Sequence, residues 1–282
     1  MDPTQADHVS SPLQTLRDNF TIQTWLCIGA LIQGALCFLP YRNIALVAPV
    51  FLYLAYQVTR TTLMCFGLLK NPYMDGVNVG RTVPIFPSEK GVQDQPGEKE
   101  ICAIILAARS NHPLGMFAPG YKETGDFMNR MHADLNANPT INGFLGASSW
   151  ISSCDRGVSG ETMLIAYFES SQALHDYAHG PLHTETMEWW QKQVKNLPHI
   201  GIMHEIYTAP KNNWEGVYVN YHPTGLSAAT IETERDGKKV WVNPLVKGNG
   251  RLTYSKGRMG KVFSPETEWK AYDDALTAEE KV

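Results

Sequence analysis

Residues 101–108 read ICAIILAA, eight residues with no charge and three isoleucines. A run this short, bounded by Glu100 and Arg109, has the length of a strand, and its β-branched content agrees. After it the periodicity changes. Residues 120–138 place Tyr121, Phe127, Met128, Met131 and Leu135 on one helical face, and Pro139 stops the run. Residues 144–151 and 162–168 (TMLIAYF) read as two more strands, with Asp155-Arg156-Gly157 as the hairpin connection between them. Residues 171–196 predict a second helix, capped by Ser170 or Ser171 and broken or restarted at Gly180-Pro181. Residues 199–207 (HIGIMHEIY) close the series as a fourth strand. The order β-α-β-β-α-β over residues 99–209 predicts an α+β domain of the ferredoxin-like kind, a four-stranded antiparallel sheet with helices on one face. The other face needs cover. The chain holds one copy of the unit, so a second subunit is the expected cover. The predicted assembly is a homodimer, a dimeric α/β barrel.

Working outward toward the N-terminus, residues 22–39 (IQTWLCIGALIQGALCFL) are 18 residues without a charge. That is about the length of a membrane-crossing helix. The turn-like Pro40-Tyr41-Arg42-Asn43 follows, and residues 44–59 are again uncharged. Backbone groups in lipid must be bonded internally, so two helices forming a transmembrane hairpin over residues 22–69 are expected. A signal peptide fits poorly, because the apolar run starts late and a second one follows at once. A buried globular hairpin is the other alternative, and Pro49 and Arg60 make the second segment the less clean of the two. Arg17 precedes the hairpin, Arg60, Lys70 and Arg81 follow it, and only Arg42 lies in the turn. This bias predicts two passes, with both ends and the soluble domain on the cytoplasmic side. Residues 1–21 are then an N-terminal tail and 70–98 a linker with four prolines and four glycines between 71 and 97. Residues 210–282 form an extension that wraps the domain, and the stretch from 265 onward reads as a polar helix.

The formal charge of −4 gives no basic footprint, so a nucleic-acid partner is not expected. Cys27, Cys37, Cys65, Cys102 and Cys154 are odd in number and show no CxxC spacing, and they read as free thiols in a reducing compartment. No GxGxxG, P-loop or GxSxG motif occurs.

On the fourth strand Ile200, Ile202, His204 and Ile206 share one face, and His199, Met203, Glu205 and Tyr207 the other. The isoleucine face is expected beneath the helices. A lone histidine there is either a hydrogen-bonded core residue or a pocket base or haem-type ligand, since a neutral imidazole suits both of the latter roles. His175, His179 and His183 fall at i, i+4 and i+8, but Gly180-Pro181 interrupts their register. With no HExxH and no carboxylate at ligand spacing, no metal is expected. His179 and His183 then flank a helix break at a pocket mouth, or are solvated. Asn111 and His112 leave the end of the first strand, either as functional polar groups or as members of a satisfied turn. Trp150, Trp189 and Tyr167 are candidate walls for an apolar substrate, against an ordinary core role.

The segments NPYMDGVNVGR (71–81), ARSNHPLGMFAPG (108–120), GFLGASSWIS (143–152), AHGPLHTETMEWW (178–190), HIGIMHEIY (199–207) and VNYHPTGL (219–226) resemble those of a fungal monooxygenase family typified by the fumagillin-pathway polyketide monooxygenase. The resemblance spans residues 20–230, membrane prefix included. It implies a dimeric α/β barrel related to antibiotic-biosynthesis monooxygenases and to haem-containing aldoxime dehydratases. It also implies tailoring of a lipophilic secondary metabolite, a polyketide or terpenoid. The resemblance assigns no catalytic role; for that reaction class the residues themselves offer His204 as the candidate base, Asn111, His112, His179 and His183 as candidate donors to an anionic oxygen intermediate, and Trp150 as a pocket wall. No built-in cofactor is expected, and haem on His204 is the alternative that the dehydratases suggest. A cyclase, isomerase or dehydratase using the same pocket, and a membrane-tethered binding module, are the competing functions.

Overall fold

The computed structural model describes residues 17, 19–88, 91–152, 161–235 and 237–261. The Asp155-Arg156-Gly157 connection, most of the N-terminal tail and the polar helix expected from residue 265 lie outside the described residues.

Two helices open the described chain, α1 (Ile22–Leu36) and α2 (Arg42–Cys65), and neither contains a buried residue. Thr21 starts α1 by accepting the Thr24 N–H at 3.2 Å. At its far end the regular helix stops at Leu36, and tighter turns carry Cys37, Phe38 and Leu39. Tyr41 takes a left-handed φ of 59° to reverse the chain. At about 1.5 Å per residue, α1 covers roughly 22 Å, against roughly 30 Å for a hydrocarbon core, whereas α2 covers roughly 36 Å. Among the described residues α2 is therefore the one helix long and apolar enough to cross a membrane, by length and composition. This corrects the expectation of two complete spans. The 18-residue apolar run is long enough as a sequence, but its last three residues are spent on the turn.

The segment expected as a linker contains a strand, β1 (Asn78–Pro84). It is the centre of a three-stranded sheet between β6 (Tyr218–Tyr221) and β9 (Leu245–Lys247). Val83 and Ile85 pack there with Leu252.

The domain beyond follows the expected order: β2 (Ile101–Ser110), α3 (Tyr121–Ala137), the short α4 (Pro139–Asn142), β3 (Phe144–Ile151), β4 (Glu161–Phe168), α5 (Ser171–Ala178), α6 (Pro181–Gln193) and β5 (Ile200–Ala209). The strands lie in the order β3-β4-β2-β5, with every neighbour antiparallel. This is the ferredoxin-like arrangement of an α+β fold. On the helix side Cys102, Phe144, Ala166 and Phe168 pack against Leu135 of α3 and Leu174 of α5. On the opposite side Ile101, Leu145, Tyr167 and Ala209 pack against Phe86, Trp214, Leu226, Ala229 and Ile231. Residues after β5 thus wrap one end of the second face, in part as the hairpin β7 (Ile231–Arg235) and β8 (Lys238–Val242). The rest of that face is open: Trp150, Met203 and Tyr207 are 42%, 43% and 56% exposed. The described chain ends in the short helix α7 (Ser255–Arg258), tied back by Arg258 Nε to Glu215 at 2.6 Å.

Candidate active site

The register settles which face His204 uses. Leu106 stands opposite His204, Ile104 opposite Ile206, and Ala108 opposite Ile202. These are the even-numbered β2 positions, which share the helix side with Cys102. His204 therefore faces the helix side with its isoleucines, as alternation predicts. It is not buried. β5 is an edge strand, no residue of α6 is buried, and 202–208 are all exposed, Ile202 at 43% and Ile206 at 41%. The expectation of a covered strand is corrected for that reason: a strand with one neighbour and no helix pressed onto it keeps an open apolar groove.

Across the groove stands His183, in the first turn of α6. Its imidazole is held below its ordinary pKa, chiefly by burial and further by the nearby His204 and His179, while a bond to the Ala178 backbone opposes the shift. His183 is thus neutral at neutral pH and able to accept a proton or a hydrogen bond. The helix break that brings it there is the one expected at Gly180-Pro181: α5 ends at Ala178, and Gly180 caps α6. His179 sits in the break as the C-cap of α5, and its Nδ1 donates to the His175 carbonyl at 2.7 Å. His204 and His179 therefore lie near enough to His183 to bear on its charge. Among the described residues no three His, Cys, Asp or Glu side chains are grouped so as to hold a metal ion.

The remaining sequence candidates lie elsewhere. Asn111 Oδ1 accepts from Arg109 Nε at 3.1 Å, Arg109 pairs with Glu161 at 3.2 Å, and the Asn111 N–H donates to the His199 carbonyl at 2.7 Å. His112 lies edge-on to His199 at 5.1 Å, and its Nδ1 accepts the Leu114 N–H. Both residues belong to a bonded turn beside the start of β5, the Asn111 amide lying by Gly201, about 10 Å along the strand from His204. Trp150 and Tyr167 occupy the face turned away from the helices. Tyr167 packs under the extension, and burial holds its hydroxyl above the ordinary value. Trp189 stacks α6 on α3, with its ring 5.0 Å from Phe127 and 6.3 Å from Trp190.

Sequence reasoning missed two features. Leu106 and Ile104 floor the groove, and cross-strand register with the isoleucine face of β5 is the signal that points to them. A cleft of about 570 Å³ opens between α4 and the α5–α6 break, with Asp134, Glu169, Asp176, Tyr177 and His183 in its wall. Tyr177 donates to the Met131 carbonyl at 3.1 Å, and burial pushes its hydroxyl far above the usual range. His183 is the one sequence candidate that lines this cleft, and its charge is also influenced by His204.

Comparison with known proteins adds the following. The model of a family described as "Monooxygenase af470-like" matches residues 101–226. The chain is 34% identical over 252 residues to "Monooxygenase af470" of Aspergillus fumigatus, covering 87% of this chain and 90% of that protein. Among solved structures, an aldoxime dehydratase is similar at 15% identity and a TM-score of 0.38, over 53% of this chain and 40% of that one. SnoaB, a cofactor-independent oxygenase from Streptomyces nogalater, is similar at 13% identity and a TM-score of 0.26, over 39% and 91% of the two chains.

Proposed function

The chain belongs to the monooxygenase af470-like family, and we propose that it is a membrane-anchored monooxygenase tailoring a lipophilic secondary metabolite, a polyketide or terpenoid. The observation that carries the chemistry is the placement of His204 on an apolar, open groove beside Ile202, Ile206 and Leu106, with neutral His183 near enough to feel its charge. A lipophilic substrate with an acidic CH₂ group fills such a groove and shields it from water. His204 removes the proton, and the carbanion transfers electrons to dioxygen, forming a C–O bond and a peroxide. The imidazolium of His204 then donates to the charged oxygen. The N–H of neutral His183 is spent on the Ala178 backbone and the Nδ1–H of His179 on the His175 carbonyl, so the two are not the donors expected from the sequence. Loss of water from the hydroperoxide leaves a carbonyl. One oxygen atom enters the product, the other leaves as water, and the substrate supplies every electron. No external reductant is needed for this outcome.

Haem fits these residues poorly. A porphyrin needs an apolar slot closed around the axial ligand and cations for its propionates. His204 stands on an exposed edge strand, and the adjoining cleft presents Asp134, Glu169 and Asp176. The α1–α2 pair, apolar and without a buried residue, supports attachment to a lipid bilayer. The arginine and lysine bias around it supports a cytoplasm-facing domain. The open patch of Trp150, Met203 and Tyr207 supports a second copy of the chain as cover for the sheet, a homodimer. The test is turnover of a panel of lipophilic 1,3-dicarbonyl polyketides by the detergent-solubilised protein under ¹⁸O₂. One labelled oxygen in the product, without added nicotinamide and with a featureless visible spectrum, is the expected result. Turnover that persists without oxygen identifies a cyclase, isomerase or dehydratase instead. A Soret band lost in His204→Ala overturns the cofactor-free mechanism.

A further inference from the structure

Beyond the site, one surface continues the apolar helices onto the folded domain. Residues 111–120, which join β2 to α3, contain no Asp, Glu, Lys or Arg. Within them Leu114 and Phe117 are 55% and 56% exposed. This loop is fastened to the base of α1. The Asn19 side chain, 8% exposed, accepts the Met116 N–H at 2.9 Å. The Phe20 ring lies 6.3 Å from Phe117 and 5.7 Å, edge-on, from Trp25. Trp25 Nε1 donates to the Arg17 carbonyl at 2.9 Å, so the indole has its polar edge satisfied while 39% of the residue remains exposed. The loop and the first turn of α1 are one unit, held together by a buried amide and three aromatic rings.

We propose that residues 114–117 are a lipid-contacting element that seats the domain on the bilayer. The proposal rests on the membrane-anchored reading above and deepens it. The occupant is a phospholipid surface, because the exposed Leu114 and Phe117 adjoin, through Phe20, the start of α1, none of whose residues is buried. An anchored α1 carries the loop to the bilayer surface whatever else binds there. An aromatic ring with one polar edge is suited to that level, and Trp25 supplies one at the helix start. The loop also leads directly from β2, whose Leu106 floors the groove beside His204. A seated loop therefore fixes the end of the site strand against the membrane, where a lipophilic substrate partitions.

The experiment uses the full chain in phosphatidylcholine vesicles, with the native cysteines replaced by serine and one nitrobenzoxadiazole label per protein. Labels are placed at Leu114→Cys and, independently, at Phe117→Cys. Leu31→Cys in α1 and Lys192→Cys on the exposed face of α6 serve as references. Quenchers are lipids bearing a nitroxide near the headgroup or deep in the chain, and aqueous iodide. The expected result is quenching of the 114 and 117 labels by the shallow nitroxide lipid, with iodide quenching about threefold or more below that at 192, as for a segment lying in the interface. If the 31 label meets the deep nitroxide while 114 and 117 behave like 192, the loop is in water and the proposal is overturned, the anchor standing. If 114 and 117 are shielded from both iodide and lipid quenchers, they are covered by protein, a second copy included, and the proposal is again overturned. If the 31 label meets no lipid quencher, the anchor itself fails and the proposal with it.

Discussion

Replacing Trp214 by alanine should unfasten the C-terminal wrap and cost the fold about 4 kcal/mol. Trp214 is 7% exposed, its ring lies 5.3 Å from Phe86, and it packs in one cluster with Ile101, Leu145, Leu226, Ala229 and Ile231. Its Nε1 donates to the Lys99 carbonyl at 2.7 Å, joining the wrap to the segment that leads into β2. Truncation of a buried tryptophan costs about 3–5 kcal/mol through lost transfer energy and the cavity left behind. The stranded Lys99 carbonyl adds only about 0.5–1 kcal/mol, because Lys99 is exposed and water replaces the indole. Packing therefore dominates the hydrogen bond. Trp214→Phe, which keeps most of the ring volume, should lose about 1–1.5 kcal/mol. A loss of about 4 kcal/mol is nearly a thousandfold in the unfolding equilibrium. Guanidinium unfolding of the detergent-solubilised full chain, followed by circular dichroism and by fluorescence of the remaining tryptophans, reads both variants. A separate early transition in Trp214→Ala would mean that the wrap folds on its own. A loss below about 1 kcal/mol in Trp214→Ala would refute the assignment of Trp214 to the core of the sheet.

His204→Gln and His183→Gln should each slow turnover about a hundredfold or more, as for loss of an acid–base group, while Asn111→Ala changes it less than about threefold because its carboxamide oxygen is engaged by Arg109. The reverse ranking would move the site to the start of β5. His183 is held below its ordinary pKa by burial, with His204 and His179 adding to the shift, so on acidification the unfolded chain takes up a proton first. The stability it contributes is present above about pH 6.5 and is lost as pH falls toward the folded value, so wild type should lose more thermal stability than His183→Gln on acidification. Equal pH slopes for the two proteins would remove His183 as the titrating group. Finally, Trp150→Glu combined with Met203→Glu places charge on the open sheet face, and sedimentation in detergent should then report a single chain where wild type reports two. An unchanged mass would show that the second copy does not cover that face.

The β-α-β-β-α-β order was legible because each element signals itself locally. Residues 101–108 and 199–207 are short and rich in isoleucine, Pro139 ends a helix, and Gly180-Pro181 marks a restart. What pairing decides was not legible. β1 looked like a linker because its neighbours in sequence are prolines and glycines, while its partner strands lie far ahead in the chain. The openness of β5 follows from strand order, which places it at an edge. Alternation gave the face of His204 correctly but not its exposure. The nearness of His183 to His204 depends on how the restarted helix sits over the sheet, which no spacing encodes. Trp150 and Tyr167 were grouped with His204 by residue type alone, and the pleat puts them on the other face.

The position of β1 has a consequence for biosynthesis. The Gly80 N–H is bonded to the Asn220 side chain at 2.8 Å, across 140 residues of sequence. At about 5–20 residues per second, a ribosome needs roughly 7–28 s to deliver that partner after Gly80 has emerged. Throughout that interval the apolar helices are already synthesised and free to enter a bilayer. The strand next to them waits with both edges unpaired, and β9 arrives later still. In a chain anchored as proposed, insertion would precede closure of the three-stranded sheet, and a chain that terminates before residue 218 would leave β1 tethered at the membrane without either neighbour.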